Sequence, residues 1–202
     1  LVTNNKKLWK KAWSFKDHGR NYRKMFDKKD SCGFVWAVDD FGSNYRMTEI
    51  QAAIGRSMLL KLDSWVVRRR ELADILFRGF SKFDELRVAV VPVGVYHSYY
   101  KYYVFIRPEK LKRGLNREQI IRGLNLKGIP CGTGVCPEIY REKAFAGYCP
   151  ASQRAIAERF PCAFDLGRTS VMFQVHPTLS NESVRFAVKQ MAKVLQGNLN
   201  LF

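Results

Sequence analysis

Apolar residues recur at helical spacing through the middle of this chain. Ile50, Ile54, Met58, Leu62, Trp65, Leu72, Leu76 and Phe80 fall on one stripe, which predicts an amphipathic helix. Thr48 and Gln51 have the spacing of a capping box, in which the hydroxyl accepts an orphan backbone N–H and the Gln side chain reaches back. The helix, or a helix pair broken near Asp63–Ser64, should run to about Phe83. Arg69 interrupts the stripe and reads as a side chain that packs its stem and keeps its charge in water. Upstream, Leu8, Ala12 and Phe15 share one face of a short helix over Lys6–Lys16, with lysines opposite. Gly19 supplies its stop. The stretch from Arg20 to Ser43 is polar, aromatic and irregular, and a loop of that length is usually functional or covers something.

Beyond Phe83 the period shortens. Arg87–Val93 is β-branched and ends near Pro92 and Gly94. His97–Arg107 (HSYYKYYVFIR) has the composition of a strand. Arg117–Leu126 predicts a second amphipathic helix, with Ile120, Ile121 and Leu124 inward and Gly128 as its stop. Ile129–Val135 reads as a short strand leading into a Gly-rich turn. Ser152–Leu166 suits a helix kinked near Pro161. Ser170–Val175 reads as a strand closed by Pro177, and Ser180 caps a last helix to about Gln196, lined by Val184, Val188, Met191 and Leu195. This β-α-β-α-β-α alternation predicts a small α/β or α+β domain, joined by the long helix to whatever lies before it.

Composition permits a folded protein: 202 residues, 47% of them hydrophobic, with four tryptophans. The apolar runs are short and broken by charge, which argues against a membrane span. Leu1-Val2-Thr3-Asn4-Asn5 lacks the regions of a signal peptide, and the first residues read as the end of something, so the chain is expected to be part of a longer protein. The net charge of +17 reads equally as an anionic partner (nucleic acid, a membrane surface or a phosphorylated substrate) and as an ordinary solvated surface balanced by acidic residues elsewhere. The basic residues form small separate clusters (Lys6-Lys7, Lys10-Lys11, Lys28-Lys29, Arg68-Arg69-Arg70), with no basic tail and no RRM-type aromatic signature, so little beyond the charge points to nucleic acid. The five cysteines, Cys32, Cys131, Cys136, Cys149 and Cys162, are odd in number and irregular in spacing. That argues against a disulfide framework and for a reducing, cytoplasmic setting. Cys131 and Cys136 lie at the edge of zinc-ligand spacing with no second pair or His suitably placed, so no metal site is expected.

The candidate chemistry starts at Asn44-Tyr45-Arg46, an amide, a phenol and a guanidinium ahead of the capped helix. Such a trio can present anion-binding groups on the lip of a rigid element. Asn44 could equally be a turn or cap residue, and Arg46 a surface cation. A cation at a helix start is mildly disfavoured by the helix dipole, which makes a specific anionic partner more attractive. His97 and Lys101 sit two strand periods apart, on one face, where they line a substrate mouth or merely decorate a strand at a domain boundary. Tyr100 points to the other face and reads as packing. His176, before Pro177, reads as loop capping.

At this point one long helix and five further blocks, in order, resemble one family. SNYRMTEIQAAIGRSMLLKLDSWVVRRRELA is similar to the signature helix of the DegT/StrS-type sugar aminotransferases, which are fold type I enzymes dependent on pyridoxal 5′-phosphate (PLP). LVTNN, KDHGR, HSYYKYYVFIR, LKGIPCGTGVCPEIYREKAF and LGRTSVMFQVHPTLS agree with it in order. The fold implied is α/β, the C-terminal part of a fold type I transferase. Residues 1–41 would end the large PLP-binding domain, 42–85 would be the connecting loop and long helix, and 86–202 the small C-terminal domain. The family's PLP-linked lysine, followed shortly by Gly-Glu-Gly-Gly, would lie upstream of Leu1. So would the Asp that pairs with the pyridine nitrogen and the aromatic that stacks on the ring. The chain alone is therefore expected to be inactive.

In the whole enzyme the resemblance implies an amino-acid donor, commonly glutamate, and a nucleotide-linked keto-sugar acceptor for amino-sugar or surface-polysaccharide synthesis. It implies a homodimer with shared active sites, in which Asn44 reaches the partner's PLP phosphate. Arg46 would clamp that phosphate or the substrate's diphosphate. Family position puts His18 near the interface or sugar pocket, with Tyr22 and Arg23 in the loop after it. Two alternatives stand beside this reading: a non-catalytic truncated module that pairs with a full-length partner, and a basic nucleic-acid-binding domain motivated by charge alone.

Overall fold

Capping decides where the helices of the computed structural model begin; the structure describes residues 2–26, 37–136, 138–145 and 158–197. Helix α1 spans Lys6–Lys16, and the Asn5 side chain accepts the backbone N–H groups of Lys7 and Leu8. Helix α2 is a short piece, Tyr22–Phe26. Helix α3, Glu49–Leu59, opens on the complete Thr48–Gln51 capping box. Helix α4 covers Leu62–Phe80. The break between α3 and α4 falls at Leu60–Lys61, not at Asp63–Ser64, and α4 stops at Phe80, not Phe83. The chain forms two compact units, Leu1–Leu60 and Lys61–Phe202, divided within the expected connecting segment.

In the first unit the apolar stripes bury little. No residue of α1 or α3 is buried, and Ile50 and Ile54 are 75% and 58% exposed. Trp9, Trp13, Tyr22 and Phe26 instead make a small edge-on aromatic cluster between α1 and α2.

The second unit holds the core. Strands β1 (Leu86–Val88), β2 (Tyr102–Ile106), β3 (Cys131–Gly132) and β4 (Ser170–Phe173) form one sheet in the order β1-β2-β4-β3, antiparallel throughout. Helix α5 (Arg117–Leu126) leads into β3, α6 (Pro161–Thr169) into β4, and α7 (Asn181–Leu195) closes the unit. Along β2, Tyr102, Val104 and Ile106 are buried while Tyr103 and Phe105 are half-buried, the alternation of an antiparallel sheet with one face against helices. Leu72, Leu76 and Phe80 of α4, Ile120 and Leu124 of α5, and Met191 and Val194 of α7 fill that side. Helices α4 and α7 approach closely at Gly79, where a Cβ would lie 2.6 Å from Val188 Cγ1.

Every strand is shorter than its composition predicts, because ladder length is set by the partner. Expected spans 87–93, 97–107, 129–135 and 170–175 contract to three, five, two and four residues. Residues His97–Lys101 precede β2, and Tyr99 has φ 47°, which interrupts extended backbone. After β3, Gly134 turns with φ 92°, and a Cβ there would meet the Tyr103 ring at 2.4 Å. Pro161 opens a helix instead of kinking one, as suits a residue with no N–H to satisfy; positions 152–157 of the helix expected over 152–166 lie outside the described residues. Among the described residues no helix is long and apolar enough to cross a membrane.

The cysteines differ in reactivity for a physical reason. Cys131 packs beside α5, its Sγ 3.8 Å from the Ile121 carbonyl, and burial pushes its thiol up to about 11. Cys136 and Cys162 are exposed. Because the thiolate is the nucleophile, iodoacetamide in mildly alkaline buffer is expected to label Cys136 and Cys162 well before Cys131. Peptide mass spectrometry over a time course checks this; equal labelling would mean that Cys131 is open to solvent.

Candidate functional site

The lip before α3 is built on the turn at Gly19, whose N–H also donates to the Ser14 carbonyl at 2.8 Å and closes the end of α1 as expected. In Asp17-His18-Gly19-Arg20 both central residues have positive φ, 59° and 78°, and the Arg20 N–H donates to the Asp17 carbonyl at 3.1 Å. That is the handedness of primed hairpin turns, which favour Gly at the second centre. The chain over 37–45 returns across it. Asp39 and Asp40 donate their N–H groups to the Gly19 carbonyl (3.0 and 3.2 Å), His18 donates to Ser43, Ser43 to Phe15, and Tyr45 to Lys16. Two crossings are too close for a side chain. A Cβ at Gly19 would lie 1.6 Å from the Asp40 carbonyl oxygen, and one at Gly42 would lie 2.4 Å from the Gly19 nitrogen.

Asp17 sits at the centre of this clasp and is 1% exposed. Its carboxylate pairs with the Arg46 guanidinium through Oδ2 and with Arg20 through Oδ1, the latter at 3.5 Å. A charge this buried requires such compensation. The pairing also alters the reading of Arg46, whose side chain is still 51% exposed but is partly engaged within its own unit. Asn44 is exposed and bridges Asp17 through its backbone. Its Oδ1 accepts the Arg46 backbone N–H at 3.2 Å, and among the described residues its amide nitrogen donates to no protein group. Tyr45 stacks on Phe15 with ring centres 5.9 Å apart. The lip thus brings His18, Asn44 and Arg46 together. Its donors, an unengaged side-chain amide and a guanidinium with N–H groups beyond its ion pair, suit the oxygens of a phosphate.

The candidates His97, Lys101 and His176 lie in the second unit. His97 and Lys101 line one groove of about 450 Å³, with Tyr99, Tyr100, Tyr103 and Val135 among its other walls. They share that groove without sharing a strand, since neither belongs to β2. His97 Nδ1 accepts the Tyr99 N–H at 3.0 Å, and its carbonyl accepts from Arg70 Nη1 at 2.9 Å. Tyr100 lines the same groove, with the Lys101 ammonium 5.3 Å from its ring centre, so the expectation that it faces the opposite side fails with the strand. Tyr22 lies in α2 within the aromatic cluster. His176 Nδ1 is 2.8 Å from Thr178 Oγ1 in the turn before α7, a loop-capping contact.

Asp17 went unnoticed in the sequence because its role depends on a segment more than twenty positions away. The available signal was an acid directly before a His-Gly turn, upstream of an Arg whose helix-start position already called for an anion.

The DegT/DnrJ/EryC1/StrS aminotransferase family model matches residues 1–192. The GDP-perosamine synthase of Escherichia coli O157:H7 is 27% identical over 91% of this chain and 43% of its own length. The dTDP-4-dehydro-2,3,6-trideoxy-D-glucose 4-aminotransferase of Saccharopolyspora spinosa is 25% identical over 91% and 44%. The crystal structure of an aminotransferase from Psychrobacter cryohalolentis superposes with a TM-score of 0.84 at 35% identity, over 98% of this chain and 51% of that one. The chain spans about half the length of the curated relatives it matches. Its α/β fold, with a small antiparallel sheet, resembles that of the PLP-dependent aminotransferases. The chain belongs to the DegT/DnrJ/EryC1/StrS aminotransferase family, a family of PLP-dependent sugar aminotransferases.

Proposed function

We propose that this chain supplies part of an enzyme that moves an amino group from glutamate to a nucleotide-linked keto sugar, for amino-sugar or surface-polysaccharide synthesis. When bound, PLP supplies the electron sink on which such nitrogen transfer depends. Asn44 donates its side-chain N–H to the cofactor phosphate across a homodimer interface. Arg46 adds a charge-assisted N–H to the same phosphate or to the substrate's diphosphate. Lys101 and His97 bind the nucleotide sugar, and His18 borders the sugar. Residues 1–41 close the large domain, 42–85 connect, and 86–202 form the small domain. The lysine that anchors the cofactor lies outside these residues, so this chain alone does not transaminate. None of its lysines precedes a Gly-Glu-Gly-Gly run, which supports that assignment.

The observation that carries the reading is the lip: an exposed Asn44 amide whose N–H groups are unengaged among the described residues, beside a half-exposed guanidinium. Titration with PLP followed by borohydride reduction tests it. The expected result is scattered modification of surface lysines, with no stoichiometric adduct on any one. In the intact dimeric enzyme, Asn44→Ala is expected to weaken PLP retention about tenfold, the loss of one charge-assisted hydrogen bond, without altering circular dichroism. Stoichiometric modification of a single lysine would put the covalent anchor inside this chain. Unchanged affinity in Asn44→Ala would remove that residue from the site.

A further inference from the structure

We infer that Asp17 is a positioning residue for the phosphate-binding lip, acting through Arg46; this rests on the function proposed above. Several independent features converge on it. Asp17 is 1% exposed, yet no apolar demand explains a carboxylate there. It bonds the guanidinium of Arg46, a residue twenty-nine positions away, and its backbone bridges Asn44. One residue therefore ties both proposed phosphate donors to the end of α1, Arg46 through its carboxylate and Asn44 through its backbone. The Arg46 backbone N–H is in turn held by the Asn44 Oδ1, which leaves the opposite end of that amide, the N–H₂, for a ligand. The turn beneath is fixed by Gly19 and Gly42, neither of which has space for a Cβ.

A guanidinium is planar and presents several N–H donors in fixed directions, so one edge can satisfy a carboxylate while another meets a phosphate. The second cation on Asp17 is not equivalent. Arg20 approaches only Oδ1, at 3.5 Å, and lies on the arm of the turn that bridges Val38, not Asn44. Loss of the Asp17 charge frees Arg46 to swing into solvent and loosens the residue that orients Asn44. The effect on a bound phosphate is then indirect and requires Arg46 to be present.

Titration of the full chain with inorganic phosphate, followed by the NMR signals of the Asn44 side-chain amide and the Arg46 Nη2–H, tests the inference. Asp17→Asn is expected to raise the phosphate midpoint about tenfold, the scale of one lost charge-assisted hydrogen bond, and to abolish a slowly exchanging Arg46 Nη2–H signal. Arg20→Gln is expected to leave the midpoint unchanged. In an Arg46→Gln background, Asp17→Asn is expected to cause no further loss, a non-additivity that a purely structural aspartate would not produce. Additive losses, or an unchanged midpoint in Asp17→Asn while Asn44→Ala weakens binding, overturn the inference and leave the proposed function standing. An unchanged midpoint in Asn44→Ala removes both. Should Asp17→Asn fail to fold, Arg46→Lys decides: a point-charge ammonium cannot span carboxylate and phosphate as the planar fork does, so an unchanged midpoint there also overturns the inference.

Discussion

Gly19→Ala is expected to open the clasp of the first unit, at a cost of about 3 kcal/mol or more. Two penalties add at this position. The backbone has φ 78°, a left-handed conformation costly for any residue with a Cβ. The new methyl would also sit 1.6 Å from the Asp40 carbonyl oxygen, which is backbone and cannot rotate aside. Moving it breaks the bonds that Asp39 and Asp40 donate to the Gly19 carbonyl. Because α1 and α3 bury no residue, the unit has little hydrophobic reserve to absorb the loss. Hydrogen exchange read by mass spectrometry should show the amides of Asp39, Asp40, Ser43 and Tyr45 losing protection while the β2–β4 ladder keeps its own. Gly55→Ala is the control. A Cβ there meets nothing within 4 Å, and in a helix interior the exchange should stabilise α3 by about 0.5–1 kcal/mol. Wild-type protection in Gly19→Ala would mean that 37–45 does not cross the turn.

The same turn shows what the sequence can and cannot disclose. Helices α1 and α5 match their expected bounds, and the Thr48–Gln51 capping box is present, because period and caps are local and each residue carries its own signal. The clasp is not local. Gly19 is a helix stop by inspection, but its second role depends on Asp40, and the value of Asp17 depends on Arg46. The stripe from Ile50 to Phe80 is one continuous pattern in sequence. It splits in the structure into an exposed part in α3 and a buried part from Leu72 onward, since burial depends on what lies opposite. Strand lengths fail for the same reason: the tyrosine-rich run 97–107 is uniform in composition, whereas its ladder is limited by β1 and β4. Asn44 and Arg46 were legible as a polar pair at a helix start, and His97 and Lys101 as neighbours, although the geometry that gathers the latter two is a groove and not a pleat.

Phe80→Ala is expected to cost the second unit about 3–5 kcal/mol, a large share of the roughly 5–15 kcal/mol that holds a typical domain together. Phe80 is wholly buried at the end of α4, with ring centres 6.2 Å from Tyr102 and 5.0 Å from Phe173. Those two residues are direct cross-strand partners in β2 and β4, so the Phe80 ring covers the pair that joins the two central strands to the helical layer. Truncation leaves a void bordered by two aromatics whose backbones are fixed by the ladder, and such a void cannot collapse cheaply. The buried Tyr102 hydroxyl, with no partner among the described residues and pushed above the usual tyrosine range by burial, would gain access to water and offset part of the loss. Phe80→Leu keeps most of the volume and should cost about 1–2 kcal/mol. Urea unfolding of the full chain separates these cases by midpoint at similar slope. Equal midpoints for Phe80→Ala and wild type would mean that α4 does not seal this sheet, and the second unit would then need another source for its core.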